Sequence, residues 1–322
     1  MSLQAQLLTS YIPDDVAGKR LDSVLAQMFP QYSRSRIKTW IQSGNVLVNN
    51  NVLKPRDAVV GGELVEIKIV VEPEITWVAQ QIPLDIVYED ESIIVINKPP
   101  GLVVHPGAGN RDGTLSNALL YFDNNLQNVP RSGIVHRLDK DTSGLLVVAR
   151  SLEAQNHLVT QLQERSMKRE YEALVNGVMT AGGTINQPIG RHPVNRLKMA
   201  VNVRGKPAIT HYRVIKRFRT HTHIRVNLET GRTHQIRVHM AYTHNPIVGD
   251  QSYGGRLMLP PNATDEFKQL LKGFKRQALH AAKLTIVHPK SKQIMCWQAP
   301  LPDDMAALIK AVNQDFLQTL GD

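Results

Sequence analysis

The segment 134–150, IVHRLDKDTSGLLVVAR, crowds His136, Arg137, Asp139, Lys140 and Asp141 together, and the apolar run 145–149 follows at once. The run has strand length and is bounded by a Thr-Ser-Gly turn signal. Polar side chains on a loop at the mouth of a buried strand can be aimed by a rigid scaffold. A carboxylate held there among cations could serve as a nucleophile or a base. The plainer reading is a charged turn in which Asp141 bonds its own backbone. Residue type alone does not separate Asp139 from Asp141.

Other stretches suggest chemistry and mostly exclude it. Residues 97–109, NKPPGLVVHPGAG, form a Gly-rich loop after an apparent strand. No Gly-Lys-Ser/Thr follows and the glycine spacing is wrong for a dinucleotide fingerprint, so a rigid Pro/Gly turn is the main reading. His234 and His239 are five apart, no glutamate is placed as in H-E-x-x-H, and the single cysteine, Cys296, is remote, so no metal site is expected. One cysteine permits no intramolecular disulfide, which suits a reducing cytoplasm.

The chain of 322 residues exceeds one average domain and is 42% hydrophobic, enough for a sizeable core. Its net charge of +10 suits a polyanion, most simply nucleic acid, although a membrane surface fits the number too. No apolar run approaches the ~18 residues of a membrane span, and residues 1–11 lack the pattern of a signal peptide.

The elements that must carry these groups follow in order. Residues 1–17 read as a loosely held tail. Leu21, Val24, Leu25 and Met28 fall on one helical face. Ser33 is a suitable N-cap for a second helix and Gly44 a suitable stop. That helix carries Ile37, Trp40 and Ile41 inward and Arg34 and Lys38 outward. Short strands at 46–48 and 64–70 complete a small unit at 18–71. Arg34, Arg36 and Lys38 either keep the helix solvated or grip RNA. Residues 72–83, with Pro73 and Pro83, read as a linker to a larger unit at 84–322. There, strands are expected at 86–88, 93–96, 170–177 and 221–228, and helices at 152–167 and near 236–243. Tyr171, in EYEALVNG, would by itself be a half-buried strand aromatic. Gly231-Arg232 sits at a strand-to-helix turn, where Arg232 alone would be an ordinary surface arginine. Residues 186–206 are basic and without apolar period: a solvated connection, or an arm gripping phosphates. Met305, Leu308, Ile309, Val312 and Phe316 form the packing stripe of a final helix capped by Asp303.

Taken together, HRLDKDTSGLL resembles the catalytic signature of the RluA-type pseudouridine synthases, and GKRLD…SRSRI…IQSGNVLVN resembles the S4 RNA-binding domain. The resemblance implies an α+β chain: an S4-like domain followed by a catalytic domain with a mixed, mostly antiparallel sheet flanked by helices. It makes Asp139 the catalytic carboxylate, Arg232 its ion-pair partner, and Tyr171 the ring stacked on the target base. It gives Lys98 and His105 a bracing role behind the catalytic loop. Arg137 and His136 are expected at the substrate, with Arg34, Arg36 and Lys38 as RNA contacts. The implied reaction isomerises uridine to pseudouridine and needs no cofactor and no metal. The implied partner is large-subunit (23S) ribosomal RNA, naked or in a pre-ribosomal large subunit, the target lying in the intersubunit-bridge hairpin loop. Relatives with the same motifs modify other rRNA or tRNA sites. A monomer, off the membrane, is expected. The alternatives in other classes are a non-catalytic RNA-binding or ribosome-assembly factor and a nucleoside hydrolase or base glycosylase.

Overall fold

A computed structural model of the chain describes residues 6–30, 32, 34–69, 78–107 and 109–318. They fall into two units, 1–76 and 77–322.

In the first unit, β1 (Gln6–Tyr11), β3 (Leu64–Ile69) and β2 (Val46–Val48) form an antiparallel sheet in that spatial order. Helices α1 (Leu21–Met28) and α2 (Arg34–Gln42) supply the other half of the core. Leu21, Leu25, Ile37 and Ile41 pack with Val46, Val65 and Ile67, all essentially unexposed. The expected N-terminal tail is thus partly a strand: Tyr11 pairs with Leu64, and the Ile12 N–H reaches the Glu63 carbonyl at 2.9 Å. Its signal was weak because β1 is an edge strand with one wet face, and the exposed Leu7 and Tyr11 blur the alternation. The proposed cap Ser33 and residues 72–77 of the expected linker lie outside the described residues. The end of that linker is tied into the second unit, where the Asn117 side chain donates to the Val78 carbonyl and the Gln80 side chain accepts the Gly113 N–H.

The second unit is built on one long sheet. In chain order it holds β4 (Ile86–Glu89), β5 (Ile93–Lys98), α3 (Leu115–Phe122), β6 (Ser143–Ala149), α4 (Leu152–Gln163), β7 (Lys168–Asn176) and β8 (Gly183–Asn186). A short hairpin follows, β9 (Ile189–Arg191) with β10 (Met199–Val201). Then come β11 (Ile209–Arg217), β12 (His221–Leu228), α5 (Gln235–Tyr242), α6 (Asp265–Gly273), β13 (Leu279–Val287), β14 (Ile294–Gln298) and α7 (Asp303–Gln318). The spatial order is β4-β5-β6-β13-β7-β12-β11-β8, with β14 on β13. Only the β6–β13 pairing is parallel; the sheet is mixed and mostly antiparallel, as expected.

Two local features set the site. Every residue of β6 is buried, so this strand is the floor on which the 134–142 loop stands. Gly144, read from the sequence as part of a turn, lies inside β6 instead. A Cβ there would sit 2.3 Å from the Ala281 carbonyl oxygen, so glycine is what lets β6 lie against β13. On β7, the period of two puts Arg169 and Tyr171 on one buried face. Glu170 and Glu172 face the other way, toward Arg225 (3.2 Å) and His223 (2.8 Å) of β12.

Candidate active site

The loop carrying Asp139 is held from four directions. The Asp139 carbonyl accepts the Thr142 N–H at 3.0 Å, closing a turn. The Thr142 hydroxyl accepts from Gln277 Nε2 at 2.9 Å. Arg276, paired with Asp304, donates to the Asp141 carbonyl at 3.3 Å. Lys98, at the end of β5 and wholly unexposed, gives its ammonium hydrogens to the carbonyls of Pro99 (2.7 Å), Leu102 (3.0 Å) and Lys140 (3.0 Å). The bracing expected of Lys98 therefore has a concrete form: it clamps the peptide next to Asp139. His105, also expected to brace, instead hydrogen-bonds Ser116 of α3 at 3.1 Å, and burial pushes its pKa down to about 4.

Burial pushes the Lys98 pKa down to about 8, with Asp141 and Asp139 opposing. A neutral amine has two hydrogens for three carbonyls. Turnover is expected to fall as pH rises through about 8. Fold stability is not: between pH 8 and the ordinary lysine range the unfolded chain binds more protons, so this group's contribution favours folding as pH rises. Lys98→Met is expected to lower kcat about 100-fold and to abolish the alkaline bend in the pH–rate profile. A bend unchanged in the variant would assign it to another group.

Asp139 opens onto a cavity of about 100 Å³ lined by Arg137, Arg169, Tyr171, Arg232, His234 and Arg237, among others. Asp141 is not on its wall. Tyr171 is 5% exposed, and burial raises its phenol pKa. Arg137 is exposed at the rim. His136 is not on the wall: its Nε2 accepts the Val147 N–H of β6 at 3.3 Å, and burial pushes its pKa down to about 3. It is a brace beneath the loop, not the substrate contact expected of it.

The arginine bound to Asp139 is not Arg232. Arg232 lines the cavity, but its Nε donates to the Pro207 carbonyl at 3.0 Å. The ion pair comes from Arg237, five residues along and inside α5, whose Nη1 lies 3.1 Å from Asp139 Oδ2. Nε and Nη2 of Arg237 grip Asp250 at 2.7 and 2.8 Å, and the guanidinium lies 5.0 Å from the centre of the Tyr253 ring. Burial opposes the charge on Arg237, but the two carboxylates outweigh it and raise its pKa. The sequence reading stopped at the turn residue. Arg237, within α5, is one of six consecutive buried residues, Gln235 to Met240, so no apolar stripe singles it out. Asp250 and Tyr253 carried no motif signal and were missed. His239 makes the metal reading unnecessary: its ring bridges the Thr210 hydroxyl (2.8 Å) and the Gln187 carbonyl (3.0 Å).

Comparison with known proteins decides the family. Residues 92–242 match the RNA pseudouridylate synthase family and residues 19–65 the S4 domain. The chain is 57% identical over 310 residues to ribosomal large subunit pseudouridine synthase D of Salmonella typhimurium, spanning 96% of this chain and 95% of that protein. It is 54% identical over 312 residues to the protein of the same name from Haemophilus influenzae, spanning 97% and 96%. The chain belongs to the RNA pseudouridylate synthase family. It is an RNA pseudouridine synthase with an N-terminal S4 domain. The synthase fold is shared with human RNA pseudouridylate synthase domain containing 4 (TM-score 0.55, 23% identity, 71% of this chain and 92% of that one). It is shared too with human domain containing 1 (TM-score 0.54, 25% identity, 73% and 96%).

In the S4 unit of the synthase, Arg34 is half-exposed and donates to Asp22 at 3.0 Å, where Arg20 also binds at 3.1 Å. Lys38 lines a groove with Arg20, Lys54 and Arg56, a basic surface next to α2. Arg36 lies over the Trp40 ring at 5.9 Å. The three expected RNA contacts are thus split: Lys38 in the groove, Arg34 at its Asp22 anchor, Arg36 against the core aromatic.

Proposed function

We propose that this synthase isomerises specific uridines of large-subunit ribosomal RNA, in the hairpin loop at the intersubunit bridge, with Asp139 as the reacting carboxylate. The observation that carries the chemical part is the Arg237–Asp139 pair on the wall of the cavity that Tyr171 also lines. Isomerisation breaks the N1–C1′ bond, turns the uracil, and joins C5 to C1′; the C5 proton is lost and N1 regains one. Nothing is oxidised or hydrolysed in this balance. The step begins from an ionised carboxylate, whether it attacks C1′, attacks C6 or takes the 2′ proton. Arg237 holds that carboxylate by a charge-assisted hydrogen bond at 3.1 Å. Tyr171 supplies a flat, dry surface for the base, which must leave its stack to reach the cavity. Arg137 at the rim is placed for a flanking phosphate. The names of the 54–57% identical relatives support the ribosomal substrate, and the S4 unit supplies a second grip on a large RNA.

The test is tritium release from 5-³H-uridine-labelled RNA, since the label leaves C5 only when that carbon is bonded anew. The synthase is expected to release tritium from large-subunit rRNA and not from tRNA of equal uridine content. Release from tRNA alone would overturn the substrate assignment. Arg34→Ala/Lys38→Ala is expected to lower the salt dependence of rRNA binding, the slope falling by about 1.5. Activity on a minimal stem-loop should stay within about twofold. Equal losses on both substrates would count against the S4 unit as the extra grip.

A further inference from the structure

His234 is the most strained residue on the cavity wall. It sits at the N-cap of α5 with φ 57° and ψ 24°, a left-handed conformation that a non-glycine residue keeps only when its surroundings hold it there. What holds it is visible. Its Nδ1 is 2.7 Å from the Tyr253 hydroxyl, and that hydroxyl accepts the Met199 N–H of β10 at 2.9 Å. Its Nε2 is 3.9 Å from Asp139 Oδ1, the oxygen that Arg237 does not bind. A line of contacts thus runs from the β9–β10 hairpin to the carboxylate.

The proton positions along it follow. A peptide N–H can only donate, so the Tyr253 oxygen is the acceptor for Met199. If the phenol proton did not go to His234 Nδ1, it would lack an acceptor among the described residues. Nε2 would then turn its lone pair toward a carboxylate. Both are unfavourable. The consistent arrangement is Met199 N–H to Tyr253 oxygen, Tyr253 O–H to His234 Nδ1, and a neutral imidazole presenting Nε2–H to Asp139 Oδ1. At 3.9 Å this is an oriented donor and not a hydrogen bond, so Oδ1 keeps its reactivity.

We propose that His234 is a positioning residue for the reacting oxygen of Asp139, and that Tyr253 fixes its tautomer and couples it to the seating of the β9–β10 hairpin. The hairpin is anchored by Ile189, Met199 and Val201 against Ala208, Val238 and Tyr253, and by Lys198 to the Ser252 carbonyl at 2.7 Å. Arg191 and Arg196 of the hairpin, and Arg204 just beyond it, are exposed. RNA held by those arginines therefore bears on the strand whose amide orients Tyr253. The inference rests on Asp139 being the reacting carboxylate.

The charged and titratable groups facing His234 are Asp139, Arg237, Asp250, Arg137 and Tyr253. Burial favours its neutral form and Asp139 opposes it; an imidazolium could not accept the Tyr253 proton at Nδ1, so that hydrogen bond adds to the neutral side. Tyr253→Phe keeps the ring beside Arg237 and removes only the hydroxyl. It is expected to lower kcat about tenfold with KM within about twofold, and to move the acid limb of kcat up by about one pH unit. The Met199 amide, left without its acceptor, should exchange faster with solvent. His234→Gln is expected to lose at least as much kcat, to remove the limb that the imidazole sets, and to leave the Met199 amide protected. Wild-type kcat in Tyr253→Phe, a loss confined to KM, or a loss with no movement of the acid limb would each overturn the proposal. Asp139→Asn distinguishes the two levels. If it is inactive while Tyr253→Phe is unimpaired, only this inference fails; if it is active, the assignment of Asp139 fails as well.

Discussion

Asp139→Asn is expected to bind ribosomal RNA as the unmodified synthase does and to release no tritium above background, a loss on the order of 10⁴-fold or more. The substitution is nearly isosteric. The loop around it is held by backbone carbonyls and by Thr142, none of which the change touches. The side chain is only 16% exposed and still offers an oxygen to Arg237, so the fold should survive. What is lost is the negative charge and the basic, nucleophilic oxygen, which every route to the product requires. The measurement is tritium release with RNA binding and thermal unfolding run in parallel. Turnover within about tenfold of wild type would remove Asp139 from the chemistry, and Asp141→Asn would be measured next.

Arg237 carries the second large effect, and it should separate stability from activity. Asp250 has a wholly buried side chain and keeps its charge through Arg237 and the N–H groups of Ser252 and Tyr253. Burial raises its pKa and these partners lower it further, leaving it below the ordinary carboxylate value. Its contribution to stability is therefore present above that ordinary value and lost as pH falls through the depressed one. Arg237→Ala strands this carboxylate and is expected to cost about 3–5 kcal/mol, which lowers Tm by roughly 10 °C in a unit of this size. It also frees Asp139, and kcat is expected to fall at least about 100-fold. Replacing both partners, Arg237→Met with Asp250→Leu, removes the stranded charge and should recover most of the stability while leaving kcat low. Recovery of kcat in the double variant would mean that Arg237 is architectural only. Arg237→Lys should fail in activity too, because a lysine lacks the planar fork that binds Asp250 bidentately while a third nitrogen reaches Asp139.

How far the sequence could be read divides along physical lines. Long buried strands and the stripe of α7 were legible because period and apolarity agree over many residues. The Asp139 loop was legible because so much polarity abuts so apolar a strand. Arg232 was taken for Arg237 because both follow the same strand, and nothing in residue type says which one turns toward a loop ~100 residues earlier in the chain. Asp250 and Tyr253 were illegible for a similar reason: they act through contacts with α5 and β10, and their own neighbours in sequence carry no motif. Gly144 was recognised as special and misread, since a glycine that allows two strands to touch looks, in one dimension, like a glycine that turns the chain. His136 sits in the signature yet serves the strand below it, a distinction that only burial reveals.

The place of β13 in the sheet has a consequence for how the synthase comes into being. This strand lies between β6 and β7, although well over a hundred residues separate it from either end of that gap's first strand in synthesis order. The segment matching the synthase family ends at 242, before Asp250, Tyr253, Gln277 and β13 have been made. A nascent chain that has just emerged to that point holds Asp139, Tyr171 and Arg237, but the arginine has no Asp250 and the two halves of the sheet have nothing between them. Placing β13 between them is a non-local closure, the kind of pairing that forms slowly. Asp139 therefore has its full Arg237–Asp250 support only once the chain beyond residue 242 has joined the fold.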